Sequence, residues 1–449
     1  MSMQDVTSAP FADAVVNEYD VVAPRLPGQD VSWLAPVRKA ALKKLQADGF
    51  PSRRNEHWKY TDITPLLKGI YTPAPLASAP ETFFQGVQRF ELDCHRVVFV
   101  NGVYRKNLSD HSAVAGLQLR PLVEVLAENP QAVEAAVTAR GENAEGFSAL
   151  NTAYLHDGVF IELDNNAVIE KPIHLIFLSV AHEPDPVAAN PRIIVQAGEN
   201  SEACLLESHL GLEGVKNFTN LVADISLAQN SKLRHLRLIE AGNEEFHIAN
   251  IVARVNRDAR YDSHQVCLGG KLVRNDVRIE LLENNASTDL NGFVLADGST
   301  HIDNHLDVRH IAPHTNSSQC YRAVLDGRSR CVFNGKVHVA PDAQKIDAKQ
   351  ASNNLLLSKL AEIDTKPELE IYADDVKCAH GATVGQLDEN MLFYLRSRGI
   401  DAETARALLI FAFADDVIRR VGIPEIRSHV EDAVLGRLPD THRIKEFVE

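Results

Sequence analysis

Cysteine is scarce in this sequence, and no two cysteines stand at a spacing typical of a zinc finger or a redox pair. The 449 residues include six cysteines and no C-x-x-C pair. Scattered single cysteines are typical of reduced thiols, so a disulfide framework and a zinc finger are both excluded. The six residues are Cys94, Cys204, Cys267, Cys320, Cys331 and Cys378.

A phosphate-binding loop is also missing. No G-x-x-x-x-G-K-[ST] segment occurs, and the glycines of Gly269-Gly270-Lys271 lack both its spacing and its Ser/Thr. If the function involves nucleotide hydrolysis, a partner must therefore supply the ATPase.

Basic residues and long apolar runs are in short supply as well. Acidic residues outnumber basic ones by 61 to 46, which gives a net charge of −15. This charge opposes phosphate backbones and anionic lipids, so neither nucleic acid nor a membrane is expected as a partner. No segment approaches 18 uninterrupted apolar residues, and the N-terminus lacks the basic and apolar regions of a leader peptide. We therefore expect a cytoplasmic protein.

From about residue 151, a degenerate repeat of turn residues separates short strand-like runs. Each copy is Asn or Asp followed by Ala or Ser, and successive copies lie 26 to 34 residues apart. Strand patterns repeated at this period without intervening helices predict a parallel β-helix, and a β-sandwich with long loops is the alternative. Asn and Asp suit its corners because they tolerate the left-handed αL conformation. The predicted corners are Asn166-Ala167, Asn200-Ser201, Asn230-Ser231, Asp258-Ala259, Asn285-Ala286, Asn316-Ser317 and Asp342-Ala343.

Helical patterns flank the repeat on both sides. We expect a mostly helical region over 1–150, the β-helix over 151–388 and a helical, partner-docking region over 389–449. In the last region, Asp401 fits an N-cap and Pro424 opens a second helix. Both helices have an apolar side, which predicts either a cap for the open end of the β-helix or spare apolar faces that bind another protein.

The stretch Glu368–Gly385 concentrates side chains that can bind metal. We interpret it as a strand whose alternation slips by one residue at Asp374-Asp375, after which Cys378 and His380 share one face, about 7 Å apart. Thiolate and neutral imidazole can ligate iron, zinc or a cluster, but two ligands do not complete a tetrahedral site. The face is otherwise apolar and is expected to be covered. The alternative is therefore an inert buried thiol beside a core histidine.

Four histidines upstream, His301, His305, His310 and His314, are a weaker candidate for a metal site. They fall into two parities, so one strand cannot present all of them on one face. We expect a solvated sheet face there rather than a metal site.

A stand-alone β-helix lyase or hydrolase that acts on carbohydrate is an alternative function. It would use Asp374 and Asp375 as paired carboxylates and Lys377 as base. Adjacent residues of a strand point to opposite faces, however, which is poor geometry for such a pair.

Several segments together resemble the SufB/SufD family of the SUF iron-sulfur cluster assembly system, and the Asp-Val-Lys-Cys-x-His core resembles its SufD branch. The resemblance covers nearly the whole chain after the first 50 residues, with one departure at Tyr321-Arg322, where Tyr-Lys is expected. The segments that carry it are Glu56–Thr61 (EHWKYT), Leu268–Gly270 (LGG), Val332–Gly335 (VFNG), Asn353–Leu357 (NNLLL), Asp364–Gly385 and Phe393–Ile400 (FYLRSRGI).

The resemblance implies a right-handed parallel β-helix flanked by N-terminal and C-terminal helical regions, in a scaffold protein rather than an enzyme. It implies assembly with a SufB-type paralogue and with SufC, an ABC-type ATPase that docks on the helices after Asp401. It also implies that His380, with Cys378 beside it, faces SufB where iron or a nascent iron-sulfur cluster is held transiently between the two chains. Flavin is a further cofactor class compatible with the family. A SufB-like scaffold that works as a homodimer is the alternative within it.

Overall fold

The computed structural model describes residues 9–74, 92–142 and 144–438, which form two long β-sheets with helices toward both ends of the chain. None of the described helices is long and apolar enough to span a lipid bilayer. The strands are β1 (Thr72–Pro73), β2 (His95–Val100), β3 (Val103–Tyr104), β4 (Leu117–Pro121), β5 (Gly158–Leu163), β6 (Ile173–Ser179), β7 (Val187–Ala189), β8 (Arg192–Ala197), β9 (Glu202–Gly211), β10 (Phe218–Leu227), β11 (Lys232–Glu240), β12 (Phe246–Val255), β13 (Arg260–Cys267), β14 (Leu272–Leu281), β15 (Ser287–Ala296), β16 (His301–His310), β17 (Asn316–Leu325), β18 (Arg330–Val339), β19 (Ile346–Leu356), β20 (Glu362–Ile371) and β21 (Val376–Gly385). The helices are α1 (Pro10–Asn17), α2 (Tyr19–Val22), α3 (Leu34–Asp48), α4 (Thr64–Leu67), α5 (Leu122–Glu128), α6 (Gln131–Glu142), α7 (Gly146–Ala153), α8 (Glu389–Ser397), α9 (Ala402–Ile418) and α10 (Pro424–Leu435).

Strand pairing identifies the fold as a parallel β-solenoid of about eight turns. From β8 onward, even-numbered strands join one sheet (sheet A) and odd-numbered strands join the other (sheet B), so the chain changes sheet at each step. Among the named strands of the described ranges, only β2–β3 and β4–β5 are antiparallel. A β-sandwich is built from antiparallel neighbours and is therefore excluded. The predicted parallel β-helix with helical regions at both ends is confirmed.

Alternating apolar side chains fill the space between the two sheets. In β10 and β12, Leu221, Ala223, Ala249 and Ile251 are almost completely buried and belong to one continuous core. The strand period of two sends every second residue inward, and parallel register stacks these residues turn on turn. Burial of a leucine- or isoleucine-sized side chain contributes about 1.5–3 kcal/mol, so each added turn stabilises its neighbours.

Helices cover the outer faces of both sheets, as parallel sheets require. On sheet A, Phe11 of α1 and Phe147 of α7 contact Phe218 edge to face. On sheet B, the apolar sides of α9 and α10 form one buried cluster with strand residues such as Leu236, and Ile426 is fully buried there. The expectation that these helices cap the open end or carry spare apolar faces is wrong, because the outer face of sheet B already occupies those faces.

The segment Glu56–Thr61 anchors the N-terminal region to the outer face of sheet A. The guanidinium of Arg274 lies 3.8 Å from the ring centroid of Trp58. Thr61 donates a hydrogen bond to the buried carboxylate of Asp303, which also pairs with Arg274. Burial raises the pKa of Asp303, but Arg274, His305 and the Thr61 hydrogen bond together outweigh burial and hold that pKa well below its ordinary value. The charged carboxylate therefore joins the two regions.

The expected solvated face is wrong for three of the four upstream histidines, which are at least partly buried and engaged by neighbours. His301 Nε2 lies 2.8 Å from Thr61 Oγ1, and His305 Nε2 lies 3.0 Å from a carboxylate oxygen of Asp303. His310 is fully buried and contacts two hydroxyl groups. Only His314 is exposed, at a turn. Sequence parity missed the Glu56–Thr61 segment that covers the first two.

The corners of the solenoid confirm five of the seven predicted positions. Each of the five has a positive φ, between 56° and 65°, and lies two residues before its strand or bridge. Their side chains form ladders along the solenoid, in which the amide of Asn230 donates to Asn200 and that of Asn200 donates to Asn166. The confirmed corners are Asn166, Asn200, Asn230, Asp258 and Asn285.

Neither of the last two predicted corners takes the left-handed conformation. Asn316 is the first residue of β17, and the left-handed position of that turn is His314, with φ 60°. In the next turn it is Lys345, with φ 59°, rather than Asp342. In both turns the left-handed residue lies within two residues of the strand start and is neither Asn nor Asp.

We expect Asn230→Val to lower the free energy of unfolding by about 1 kcal/mol or more, because a β-branched residue resists positive φ. Asn285→Val should behave alike. Asn316→Val is the matched control, since Asn316 lies in a strand. Chemical denaturation of the three variants compares them. Equal stability of all three with the unsubstituted protein would contradict the assigned corners.

Candidate functional site

The stretch Glu368–Gly385 spans the last two strands of the solenoid rather than one slipped strand. β20 ends at Ile371 in sheet A and β21 begins at Val376 in sheet B, so Asp374-Asp375 lies in the turn between the sheets. β21 pairs with β19 along one edge, and its other edge faces no strand within the described ranges. The predicted slip was therefore a change of sheet.

Cys378 and His380 share the inner face of β21, as the sequence parity predicts. In the parallel ladder Cys378 is paired with Ala348 and His380 with Gln350. Cys378 is half-buried and packs on the apolar interior of the last turn. His380 is exposed and has no side-chain hydrogen bond to any residue that the structure describes.

The expectation that this face is covered is wrong. In every earlier turn the next turn covers the inner residues, whereas β21 lies at the end of its sheet. The interpretation of His380 as a core histidine with its hydrogen bonds satisfied is therefore also wrong. An exposed imidazole on the rim of an apolar interior is available to a ligand from outside.

The thiol of Cys378 is weaker as a ligand than the imidazole. Burial raises its pKa, the Asp347 carboxylate raises it further, and the Ala348 backbone opposes both only in part. The thiol therefore stays protonated at neutral pH until a metal displaces the proton.

Cys378 and His380 are an incomplete ligand set on their own. Nowhere in the described ranges do three His, Cys, Asp or Glu side chains come together in a way that could hold a metal ion. Cys267 and Cys331 are fully buried, and burial raises the pKa of Cys267 to about 12. A metal ion bound by this pair would need further ligands from outside the described ranges.

Exposed apolar side chains surround this end of the solenoid. We name two surfaces: the open-end surface, which comprises Leu360, Ile371, Tyr372 and Val384, and the α8 surface, which comprises Met391, Phe393 and Tyr394. Phe393 is 72% exposed. Sequence reasoning missed the α8 surface. Its signal was the aromatic pair of FYLRSRGI, in the helix that follows the N-cap Asp388.

The structure does not support the alternative function, a carbohydrate lyase or hydrolase that uses Asp374 and Asp375 as paired carboxylates. Asp374 and Asp375 are both exposed turn residues. Hydrolysis by paired carboxylates needs a cleft that binds the sugar and keeps one carboxyl protonated, and an exposed turn supplies neither.

Two family descriptions match most of this chain. The family described as SUF system FeS cluster assembly, SufBD core domain, matches residues 178–413, and the SufBD protein N-terminal region matches residues 17–175. The chain belongs to the SufBD family. It is 31% identical to iron-sulfur cluster assembly protein SufD of Escherichia coli over 406 residues, which cover 90% of this chain and 93% of that protein.

Other relatives extend the similarity. An iron-sulfur cluster assembly SufBD family protein of Synechocystis is 30% identical over 419 residues, covering 91% of this chain and 92% of that protein. Protein ABCI7, chloroplastic, of Arabidopsis thaliana is 28% identical over 414 residues, covering 90% and 86%. The predicted family is therefore confirmed. Both β21 and α8 lie within the matched core domain of this SufBD protein.

Proposed function

We propose that this SufBD protein is a SufD-type scaffold subunit that holds iron or a nascent iron-sulfur cluster between itself and a partner chain in the cytoplasm. The observation that carries the proposal is the position of His380 and Cys378 on the last strand of sheet B, whose outer edge has no partner strand in the described ranges. The site is accessible, it is incomplete, and its missing half lies where a partner must bind. Family membership supplies the cargo, since its members are iron-sulfur cluster assembly proteins.

His380 and Cys378 would contribute unequally to binding iron. The exposed imidazole of His380 binds iron through a ring nitrogen while remaining neutral. Thiolates are the usual partners of iron in clusters, so the partner contributes at least one cysteine. Cys378 serves as a supporting ligand because its thiol must first lose a proton.

The partner is a SufB-type paralogue, and it would bind by strand addition at the open-end surface. The free edges of β20 and β21 offer backbone donors and acceptors to strands of another chain. Ile371 and Tyr372 next to those edges add apolar area. A second copy of this chain could bind the same edges, so the homodimeric scaffold remains an outcome of the experiment.

The ATPase, a SufC-type subunit, would dock on α8. The helices after Asp401 were expected to supply this site, but the apolar sides of α9 and α10 are buried on sheet B. The exposed Phe393 and Tyr394 offer the aromatic contacts that protein interfaces favour. Removing α9 and α10 would uncover sheet B, so point substitutions on α8 are the cleaner test.

We expect His380→Ala to leave the complex intact while iron and acid-labile sulfide per complex fall about tenfold, since one cluster ligand is lost. Cys378→Ala should reduce both less. Lys377→Ala, on the opposite face of β21, is the matched control. The measurement is anaerobic isolation of the complex followed by iron, sulfide and subunit assays. An intact His380→Ala complex with unchanged iron and sulfide would refute the site.

Val384→Asp should weaken pairing with the SufB-type partner at least about tenfold, because a charge at the open-end surface would be buried without a partner. Val168→Asp is the control, since Val168 is similarly exposed, in a distant β-bridge to Glu202. Co-purification and light scattering measure the pairing. Equal pairing by both variants would move the interface elsewhere, and a homodimer lost in Val384→Asp alone would favour the homodimeric scaffold.

The double substitution Phe393→Ser and Tyr394→Ser should reduce ATPase binding at least about tenfold, because two exposed aromatic anchors are removed. Val21→Ser, at an exposed apolar position of α2, is the control. Calorimetric titration with the SufC-type subunit gives the affinity. Undiminished binding would exclude α8 as the docking helix.

A further inference from the structure

A short ladder of amide side chains leads to His380 along the inner face of sheet B. In register, Gln319 of β17 is paired with Gln350 of β19, which is paired with His380 of β21. The preceding rung is the apolar Leu290. Leu290 separates these last three polar rungs, at the rim of the open end, from the polar His235 and Ser263 earlier in the same column.

The side-chain amide of Gln350 is oriented by a hydrogen bond to Gln319, and its oxygen accepts no hydrogen bond from any described residue. Its Nε2 donates to Gln319 Oε1 at 3.3 Å. Gln350 is 4% exposed, and its Oε1 is buried without a hydrogen-bond partner in the described chain. Because the nitrogen is used on the side of Gln319, the oxygen is available on the other side of the rung. The neighbouring rung on that side is His380.

Gly335 on the facing sheet makes room for this arrangement. A Cβ at position 335 would lie 2.9 Å from Gln319 Oε1 and equally close to the ring of Phe333. The glycine therefore lets the Gln319 amide lie between the sheets, where it can accept from Gln350. This gives a physical role to the last residue of the VFNG segment.

We propose that Gln350 is a positioning residue for His380: its Oε1 accepts a hydrogen bond from one imidazole N–H and so directs the other ring nitrogen toward the metal. Adjacent side chains in register lie about 5 Å apart in a parallel ladder, within reach of a glutamine and a histidine. Metal-binding histidines usually donate their second N–H to an acceptor of this kind, which fixes the tautomer and the ring orientation. A buried acceptor without a partner gains by making that bond.

The inference rests on the proposed function for its purpose, but the contact can be tested in the isolated chain. The full chain would be labelled with ¹⁵N-histidine and examined by NMR at about pH 8, where ordinary imidazoles are neutral. The His380 signals are those missing from His380→Ala. We expect one dominant His380 tautomer, and in Gln350→Met a change of about fivefold in the tautomer ratio, as a hydrogen bond of ordinary strength would give.

Ser352→Ala is the matched control, because Ser352 is buried on the same face of β19 and is in register with Ala382 instead of His380. It should leave the tautomer ratio unchanged. Gln350→Glu keeps an acceptor oxygen and should retain the dominant tautomer, which supplies the test if Gln350→Met does not fold. An unchanged tautomer ratio in Gln350→Met, or loss of the dominant tautomer in Gln350→Glu, would overturn the assignment.

A second measurement separates this inference from the proposed function. In the assembled complex, Gln350→Met should lower iron and acid-labile sulfide, and Ser352→Ala should not. A changed tautomer ratio with unchanged iron and sulfide would support the Gln350 contact and contradict the role of His380 in holding the cargo. Unchanged values in both experiments would contradict the positioning role itself.

Discussion

Each strand of a parallel solenoid completes its backbone hydrogen bonds with the turn that follows, so the last turn has an unsatisfied edge. Here that edge belongs to β20 and β21, and the described chain places no strand beyond them. Unpaired edges of this kind recruit another chain unless they are blocked. Cys378 and His380 lie on β21, so a partner chain that paired with the edge of β21 would also reach the incomplete ligand set.

The distribution of exposed apolar residues follows from the same constraint. Parallel sheets must be covered on both faces, and the N-terminal helices cover sheet A while α9 and α10 cover sheet B. Of the thirteen large apolar residues that are exposed in the described ranges, seven lie between Leu360 and Tyr394, at the open end and on α8. The surfaces left for partners are therefore concentrated around one end of the molecule.

The features that sequence reasoning predicted were local ones. Turn chemistry predicted five corners, such as Asn230 and Asn285. Asn and Asp tolerate a positive φ, and this preference belongs to the single residue. Strand parity put Cys378 and His380 on one face, because the period of two needs no tertiary information. The SufB/SufD resemblance rested on contiguous segments and is confirmed by the family matches.

Apart from the last two corners, the failures were non-local. Periodicity shows that α10 has an apolar side, but only the fold shows that sheet B occupies it. The exposure of His380 depends on the order of strands, and the burial of His301 depends on Thr61, about 240 positions earlier in the chain. Gln350 has no sequence signal, since its neighbour in register is thirty positions away and is identified only by strand pairing.

Whether His380 binds the cluster directly can be measured by pulsed EPR. The assembled complex would contain ¹⁵N-histidine in this chain only, with natural-abundance nitrogen in every partner, and its cluster would be reduced to a paramagnetic state. If His380 is a ligand, the cluster shows a ¹⁵N hyperfine coupling of the size given by an iron-bound imidazole, and the coupling disappears in His380→Ala. A reduced cluster without any such coupling from this chain would show that His380 is not a ligand.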